Sequence, residues 1–544
     1  MWTIDYQGEP DSEPEAPDAG AALVFPREIL DAHGARVLNP ATAPLGPGSV
    51  VPDSTVYHAD MVLVPTQVLA DGAVREWFTA ALDELGLAPH LPEDTGNDPG
   101  AEPLQWRAVV LRVTRGVAEV DAWAVVQHLR TRLPVDSPVH GGLEGIPRRI
   151  LEFGGRIGLN HLLVGSAVIG GEPVTDGHGL PGDTPGRAGF GYATRCPVQV
   201  VWPKPVPDPA FTGRAPVVAL IDSGSAKHDW FDWRDEPWQD HQFLVSSKAQ
   251  QKIVNGTPIN AARPQQVLAI DGHEDRPVSG RPLLGLVNAQ AGHATFEAGL
   301  IHQLAPEARI LNLRAMFADG LVSEHALHLA LEYVLELVEA NQRDPDTGLF
   351  VDVVSLSCGY FNENRDDRVY TQSVERLVDE IRSKGVLVVA AAGNYAATKA
   401  FYPSGLAGIP DQEKRPFERA PIFGVGAKNP NGSIAIFSNG GAAIKYHAPG
   451  AMLISTFPPG IRGSAEPELE LRGTRNGRPW IRESYDPDDF RSGFALWSGT
   501  SFAAPIVAGQ VLAHLIRDHG SQLADVSADA ALTRGTAIVK KLQQ

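Results

Sequence analysis

Two textures of apolar and polar positions divide the chain. From about residue 55, VYHADMVLVP reads as a strand. Between Gln67 and Leu87 the apolar residues Val74, Trp77, Phe78, Ala81, Leu82 and Leu85 recur at three- and four-residue spacing, the pattern of one buried helical face. AVVLRV at 108–113 predicts a second strand. Asp121 stands where a cap is needed ahead of a helix carrying Val125, Val126, Leu129 and Leu133. Strand, helix, strand, helix in this order predicts a small α+β module of ferredoxin-like outline. A further apolar stretch, LNHLLVGSAVIGG, is followed by a Gly- and Pro-rich segment from Gly170 to Gly191 that reads as a long loop. PKPVPDP at 203–209 reads as a linker.

Beyond the linker, short and continuously apolar runs replace alternating ones. VVALI (217–221), ARILNL (308–313), DVVSLS (352–357), VLVVAAA (386–392) and IFGVGA (422–427) predict strands, with helical patterns near 322–341 and 371–384 between them. Strands apolar on both sides and alternating with helices predict an α/β domain, a parallel sheet with helices on both faces. Such sheets keep their ligand sites beyond the carboxyl ends of the strands. The expected division is an acidic flexible tail (1–20), a smaller α+β N-terminal domain (21–202), a linker (203–213) and the α/β domain (214–544).

Composition narrows the partners. The 544 residues carry 65 acidic against 46 basic side chains, a net charge of −19. Nucleic acid and anionic membranes are therefore poor partners, because both need clustered Lys and Arg. No apolar run reaches the length of about eighteen residues that a membrane helix needs. The opening MWTIDYQGEPDSEPEAPDAG is acidic and lacks an apolar core, unlike a secretory signal. With only two cysteines, Cys196 and Cys358, no disulfide framework or cysteine metal site is expected. A cytoplasmic location fits these features.

Four local patterns carry chemistry. Asp222 ends an apolar strand in VVALIDSG, where Gly224 permits a sharp turn; alone, it reads as a turn cap. His293 opens the helical pattern GHATFEAGLI, a place suited to a general base, although most of the 17 histidines must be ordinary ones. Ser501 in SGTSFAAPIVAG falls in the first turn of a helix, beside unsatisfied backbone N–H groups that can hold an oxyanion. Pro505 is expected in that same first turn. Asn394 ends AAAGN, where its amide can donate to an oxyanion.

Asp222-Ser223-Gly224, then His293-Ala294-Thr295 running to Ala298-Gly299, then Gly499-Thr500-Ser501-Phe502-Ala503-Ala504-Pro505 stand in the order Asp, His, Ser. Together with Asn394 between the last two, these blocks resemble the subtilase family over about residues 214–520. The resemblance implies a subtilisin-like fold and a serine endopeptidase acting on polypeptides. Ser501 would be the nucleophile, His293 the base and then the acid, Asp222 its orienting carboxylate, and Asn394 with the Ser501 N–H the oxyanion hole. Ser357-Cys358-Gly359 is similar to the family's substrate-binding strand. Ala391-Ala392-Gly393 is similar to the facing wall of the specificity pocket. Those segments carry no charge, so an uncharged residue is expected before the scissile bond. The N-terminal domain would be an intramolecular partner, resembling a pro-region in outline. No cofactor or metal is expected, and no calcium loop is recognisable.

The chain departs from the family at Ala294, usually glycine, and at Phe296, where a second histidine is frequent. An inserted loop is expected at 456–496. Glu297, one helical turn after His293, gives colour to a sedolisin-like acid peptidase, but His293 and the amide at Asn394 oppose that reading. Glu297 is expected behind the site or at the surface. A catalytically silent peptide-binding module would have lost a triad member, and none is lost. The phosphate-loop motifs of nucleotide-binding α/β domains are absent.

Overall fold

In the strand Val217–Asp222, Val217, Ala219 and Ile221 turn to one face of a sheet and Val218 and Leu220 to the other, and all five are buried. Only a strand covered on both sides satisfies that pattern. The computed structural model describes residues 3–6, 23, 25, 27–46, 50–90, 105–116, 119–135, 143–166, 195–238, 240–256, 288–364, 372–409, 418–461, 470–483 and 490–543. Within them, Val217–Asp222 lies inside a nine-stranded sheet, between Val353–Leu356 and Arg309–Arg314, both parallel to it. Leu387–Ala391, Ile422–Lys428 and Ile444–Pro449 extend one side in parallel. Phe243–Leu244 and Trp233–Arg234 extend the other.

Helices His293–Leu304 and Thr500–His519 pack on the Val218 and Leu220 face. Ser247–Gly256, Glu324–Arg343 and Gln372–Ser383 pack on the opposite face. The predicted α/β layers are therefore present, with strand and helix limits shifted by a residue or two.

The N-terminal domain is a β-α-β-β-α-β unit. Its strands Gly158–Gly165, Val56–Pro65, Trp106–Val113 and Leu87–His90 lie in that spatial order and are antiparallel throughout. This is the ferredoxin-like arrangement. The helix expected over 67–87 is two helices, Thr66–Ala70 and Gly72–Glu84, because the Asp71 carboxylate accepts from Ala73 N and Val74 N and starts a new helix. Asp121 does cap Ala122–Thr131, accepting from Trp123 N at 3.0 Å. Phe78, Leu82, Val62, Val64, Trp123 and Val126 form the core.

The last strand of this domain leaves its own sheet and enters the other half of the molecule. Leu162, Leu163 and Val164 pair with Ser323, Val322 and Leu321 on one side. Val164 and Gly165 pair with Gly359 and Cys358 on the other. Polar side-chain contacts tie the two halves: His33 to Asp319 at 2.6 Å, Lys399 to Asp53 at 3.0 Å, and His161 to Glu324 at 2.6 Å and Glu363 at 2.9 Å.

Two boundaries differ from those read in the sequence. Within the expected tail, Asp5–Tyr6 pairs antiparallel with His447 and Tyr446 at the sheet edge, held by an ion pair of Asp5 with Lys428 at 2.6 Å. Cys196–Pro197, assigned above to the N-terminal domain, pairs with Phe494–Trp497 and belongs structurally to the α/β half. The segment 170–191 lies outside the described residues. In the expected insertion, Glu470–Arg475 and Arg478–Glu483 form a hairpin. Among the described residues no helix is long and apolar enough to cross a membrane.

Candidate active site

The strand Val217–Asp222 delivers Asp222 to the carboxyl edge of the sheet, where the side chain is fully buried. Its Oδ1 lies 2.8 Å from Nδ1 of His293 and 2.6 Å from the Ser223 N–H that donates to it. His293 opens its helix because Gly292 precedes it at φ +79°, a left-handed conformation that glycine adopts without strain. A β-carbon at Gly292 would lie 2.6 Å from the Phe457 ring. The Ala294 N–H, in turn, donates to the Ser223 hydroxyl at 3.0 Å. The extra methyl of Ala294 is accommodated in the core, fully buried. Phe296 packs with its ring centroid 4.5 Å from Phe502 and 5.7 Å from Trp497, the two rings that also contact His293. The residue pattern that departed from the family thus serves packing.

Ser501 sits in the first turn of Thr500–His519, also fully buried. Its hydroxyl donates to the Ser357 carbonyl at 3.1 Å. Nε2 of His293 is buried and has no hydrogen-bond partner among the described residues. The aspartate–histidine link is therefore made, and the histidine–serine link is open. Pro505 lies inside this helix and not in its first turn. Lacking an N–H, it cannot bond the Ser501 carbonyl four residues back; the Ser357 hydroxyl donates to that carbonyl instead, at 3.2 Å.

Asn394 is oriented by Thr500, whose N–H and hydroxyl both donate to its Oδ1, at 3.0 and 2.9 Å. This leaves Nδ2 free to point into the cleft. It donates to the carbonyl oxygen of Ser166 at 2.5 Å, and the Ser501 N–H donates to the same oxygen at 3.0 Å. The Ser166 N–H donates to the Ser357 carbonyl at 2.9 Å, and the Gly165 N–H to the Gly320 carbonyl at 2.8 Å. Cys358 and Gly359 pair antiparallel with this incoming strand. Ala391, Ala392 and Gly393 lie at and just beyond the end of their strand, all buried, and the Gly393 N–H donates to the Thr500 hydroxyl at 3.1 Å.

Asp222, His293, Asn394, Ser501 and the Ser357–Gly359 segment are brought together around this cleft. Missed were Ser166, Thr500 and the role of Ser357 as a double partner of Ser501. No local pattern marks Ser166, because its place follows from docking of one domain on the other. Glu297 is not at the surface: it is fully buried, with Oε1 3.6 Å from His293 Nδ1. Burial, then the charge of Asp222, holds its carboxyl well above the usual range. Burial, with Asp222 and Glu297 adding to it, likewise pushes up the Cys358 thiol.

A parallel sheet covered by helices on both faces, with a carboxylate, an imidazole and a hydroxyl gathered at its carboxyl edge, defines an α/β domain with a polar cleft beyond its strand ends. Residues 213–537, well over half the chain, match the subtilase family (peptidase S8), and the chain belongs to that family. It is 28% identical over 241 residues to a thermophilic serine proteinase of Bacillus sp. (strain AK1), covering 44% of this chain and 43% of that one. Subtilisin BL of Lederbergia lenta is 28% identical over 199 residues, 35% of this chain and 60% of that protein. The chain thus spans about half the length of these relatives. Among solved structures, a lanthipeptide protease aligns at TM-score 0.33 and 20% identity, covering 58% of this chain and 78% of its own. A cold adapted subtilisin-like serine proteinase aligns at 0.34 and 15%, covering 61% and 87%.

Proposed function

We propose that this chain is a serine endopeptidase whose cleft is occupied by its own N-terminal domain. One observation carries the reading: the two donors suited to an oxyanion, Asn394 Nδ2 and the Ser501 N–H, both hold the Ser166 carbonyl oxygen. A peptide carbonyl so held, on a strand paired at both edges with the cleft, is bound as a substrate is bound. Ser166 is uncharged, in keeping with the residue expected before a scissile bond. The bond that follows the held carbonyl is Ser166–Ala167.

In the reaction, the Ser501 hydroxyl turns from the Ser357 carbonyl to Nε2 of His293, which takes its proton as Oγ attacks the peptide carbonyl carbon. Asp222 fixes the tautomer with the proton on Nδ1 and supports the imidazolium that forms. Asn394 and the Ser501 N–H carry the oxyanion. His293 then gives its proton to the leaving amine, and water hydrolyses the acyl-enzyme by the same path in reverse. The substrate is an extended polypeptide lying between Leu321–Ser323 and Cys358–Phe361 once the N-terminal strand has left. A chain with only two cysteines, Cys196 and Cys358, fits a reducing cytoplasmic setting for this activity.

A second reading, a silent or permanently occupied peptide-binding module, draws on the Ser501 hydroxyl being bonded to Ser357 and not to His293. Intact mass after incubation with a fluorophosphonate, beside Ser501→Ala, separates the two. The peptidase reading expects one adduct on the wild type and none on the variant. It also expects a fragment ending at Ser166 released by the wild type alone. A folded, full-length wild type with neither adduct nor fragment would overturn it in favour of the binding module.

A further inference from the structure

We propose that Glu297 is a positioning residue of this peptidase, a buried carboxyl that shares one edge of His293 with Asp222 and sets how the pair responds to pH. The inference rests on the peptidase reading above. His293 Nδ1 can donate one hydrogen bond, and Asp222 receives it at 2.8 Å. Glu297 Oε1 stands 3.6 Å from the same nitrogen, and all three side chains are fully buried. Ligand atoms of the three lie within 4.8 Å of one another. Neither oxygen of Glu297 has a hydrogen-bond partner among the described residues.

Two ionised carboxylates, desolvated and both facing one imidazole edge, repel each other, so one keeps its proton. Asp222 holds the stronger partners, Nδ1 of His293 and the Ser223 N–H, so the proton stays on Glu297. Burial first, and then the Asp222 charge, act in that direction. The groups facing this carboxyl are Asp222 from its strand, His293 from its own helix, and Ser357 and Cys358 from the cleft edge. From the strand Leu453–Thr456, packed on the helix of His293, the Ser455 and Thr456 hydroxyls donate to the Phe296 and Thr295 carbonyls.

The consequence is a pH-gated charge. While Glu297 is neutral, Asp222 alone supports the imidazolium formed when His293 takes the Ser501 proton. When Glu297 loses its proton as the pH rises, a second negative charge stands beside that imidazolium and stabilises the transition state further. Glu297 itself touches no substrate atom. Its proton leaves to solvent, and His293 keeps its role at Nε2.

The test compares full-length wild type, Glu297→Gln and Glu297→Val for kcat and KM on a fluorogenic peptide from pH 6 to 10, with thermal midpoints at each pH. The kcat ratio of wild type to either variant is expected to rise roughly 10-fold across that range, with KM unchanged. A purely structural role would give parallel profiles displaced by a constant factor, and that result would overturn the proposal. If the wild type neither hydrolyses peptide nor takes a fluorophosphonate, the peptidase reading fails separately. Glu297 is then judged by ¹⁵N-histidine NMR of the full-length Ser501→Ala chain. An ionisation felt at the His293 ring that vanishes with Glu297→Gln supports the proposal, and identical titrations with and without Glu297 overturn it.

Discussion

Replacing His161 by leucine should release the N-terminal strand from the cleft. His161 lies five residues before Ser166 on that strand and is fully buried, with Nδ1 2.6 Å from Glu324 and Nε2 2.9 Å from Glu363. Burial alone would lower its pKa, but the carboxylates of Glu363 and Glu324 outweigh burial and raise it to about 10. The ring is thus a cation held between two anions. Leucine leaves both carboxylates buried without their counter-charge, and breaking a buried pair in this way costs about 3–5 kcal/mol. That loss corresponds to roughly a 10²- to 10⁴-fold larger open population. Hydrogen exchange of the amides in 158–165, and the fluorophosphonate labelling rate of Ser501, should both rise toward that extent. A companion variant with Glu324→Gln and Glu363→Gln added should recover much of the closure, because the stranded charges are gone. Unchanged exchange in folded His161→Leu would refute the claim that this charge triple holds the strand.

The same triple predicts a pH dependence. A histidine raised from 6.5 to about 10 contributes its full stabilisation below pH 6.5 and loses it as pH climbs through 10. Glu324, which burial would raise, is brought down to about 2 chiefly by His161, so its contribution fades only as pH falls from 4.5 toward 2. Closure should therefore be strongest between about pH 4.5 and 6.5 and weaken steadily in alkali, measured by exchange of the same strand. Asn394→Ala removes one of two oxyanion donors and should cut kcat about 10²- to 10³-fold with KM nearly unchanged, read from peptide hydrolysis. Gly292→Ala puts a β-carbon at φ +79° and 2.6 Å from Phe457. It should cost about 1–3 kcal/mol in denaturant unfolding and lower kcat by shifting His293.

The sequence by itself determined the α/β half and singled out its candidate chemical residues. Continuous apolar runs such as VVALI can only be buried on both faces, and the blocks around Asp222, His293 and Ser501 place each side chain at a strand end or helix start by local rules. The β-α-β-β-α-β outline was also local, since Asp71 and Asp121 each cap a helix with their own carboxylates. Only the tertiary structure decided which carbonyl lies between Asn394 and Ser501, because that contact joins residues 228 positions apart. It likewise decided the state of Glu297. Helical spacing puts it on the face of His293, but whether that face meets solvent depends on Asp222 and the Ser357–Cys358 segment, from distant strands, packing against it. Charge pairs such as His161 with Glu324 and Glu363 follow the same rule: residue types are visible in a sequence, and desolvation exists only once distant segments have packed.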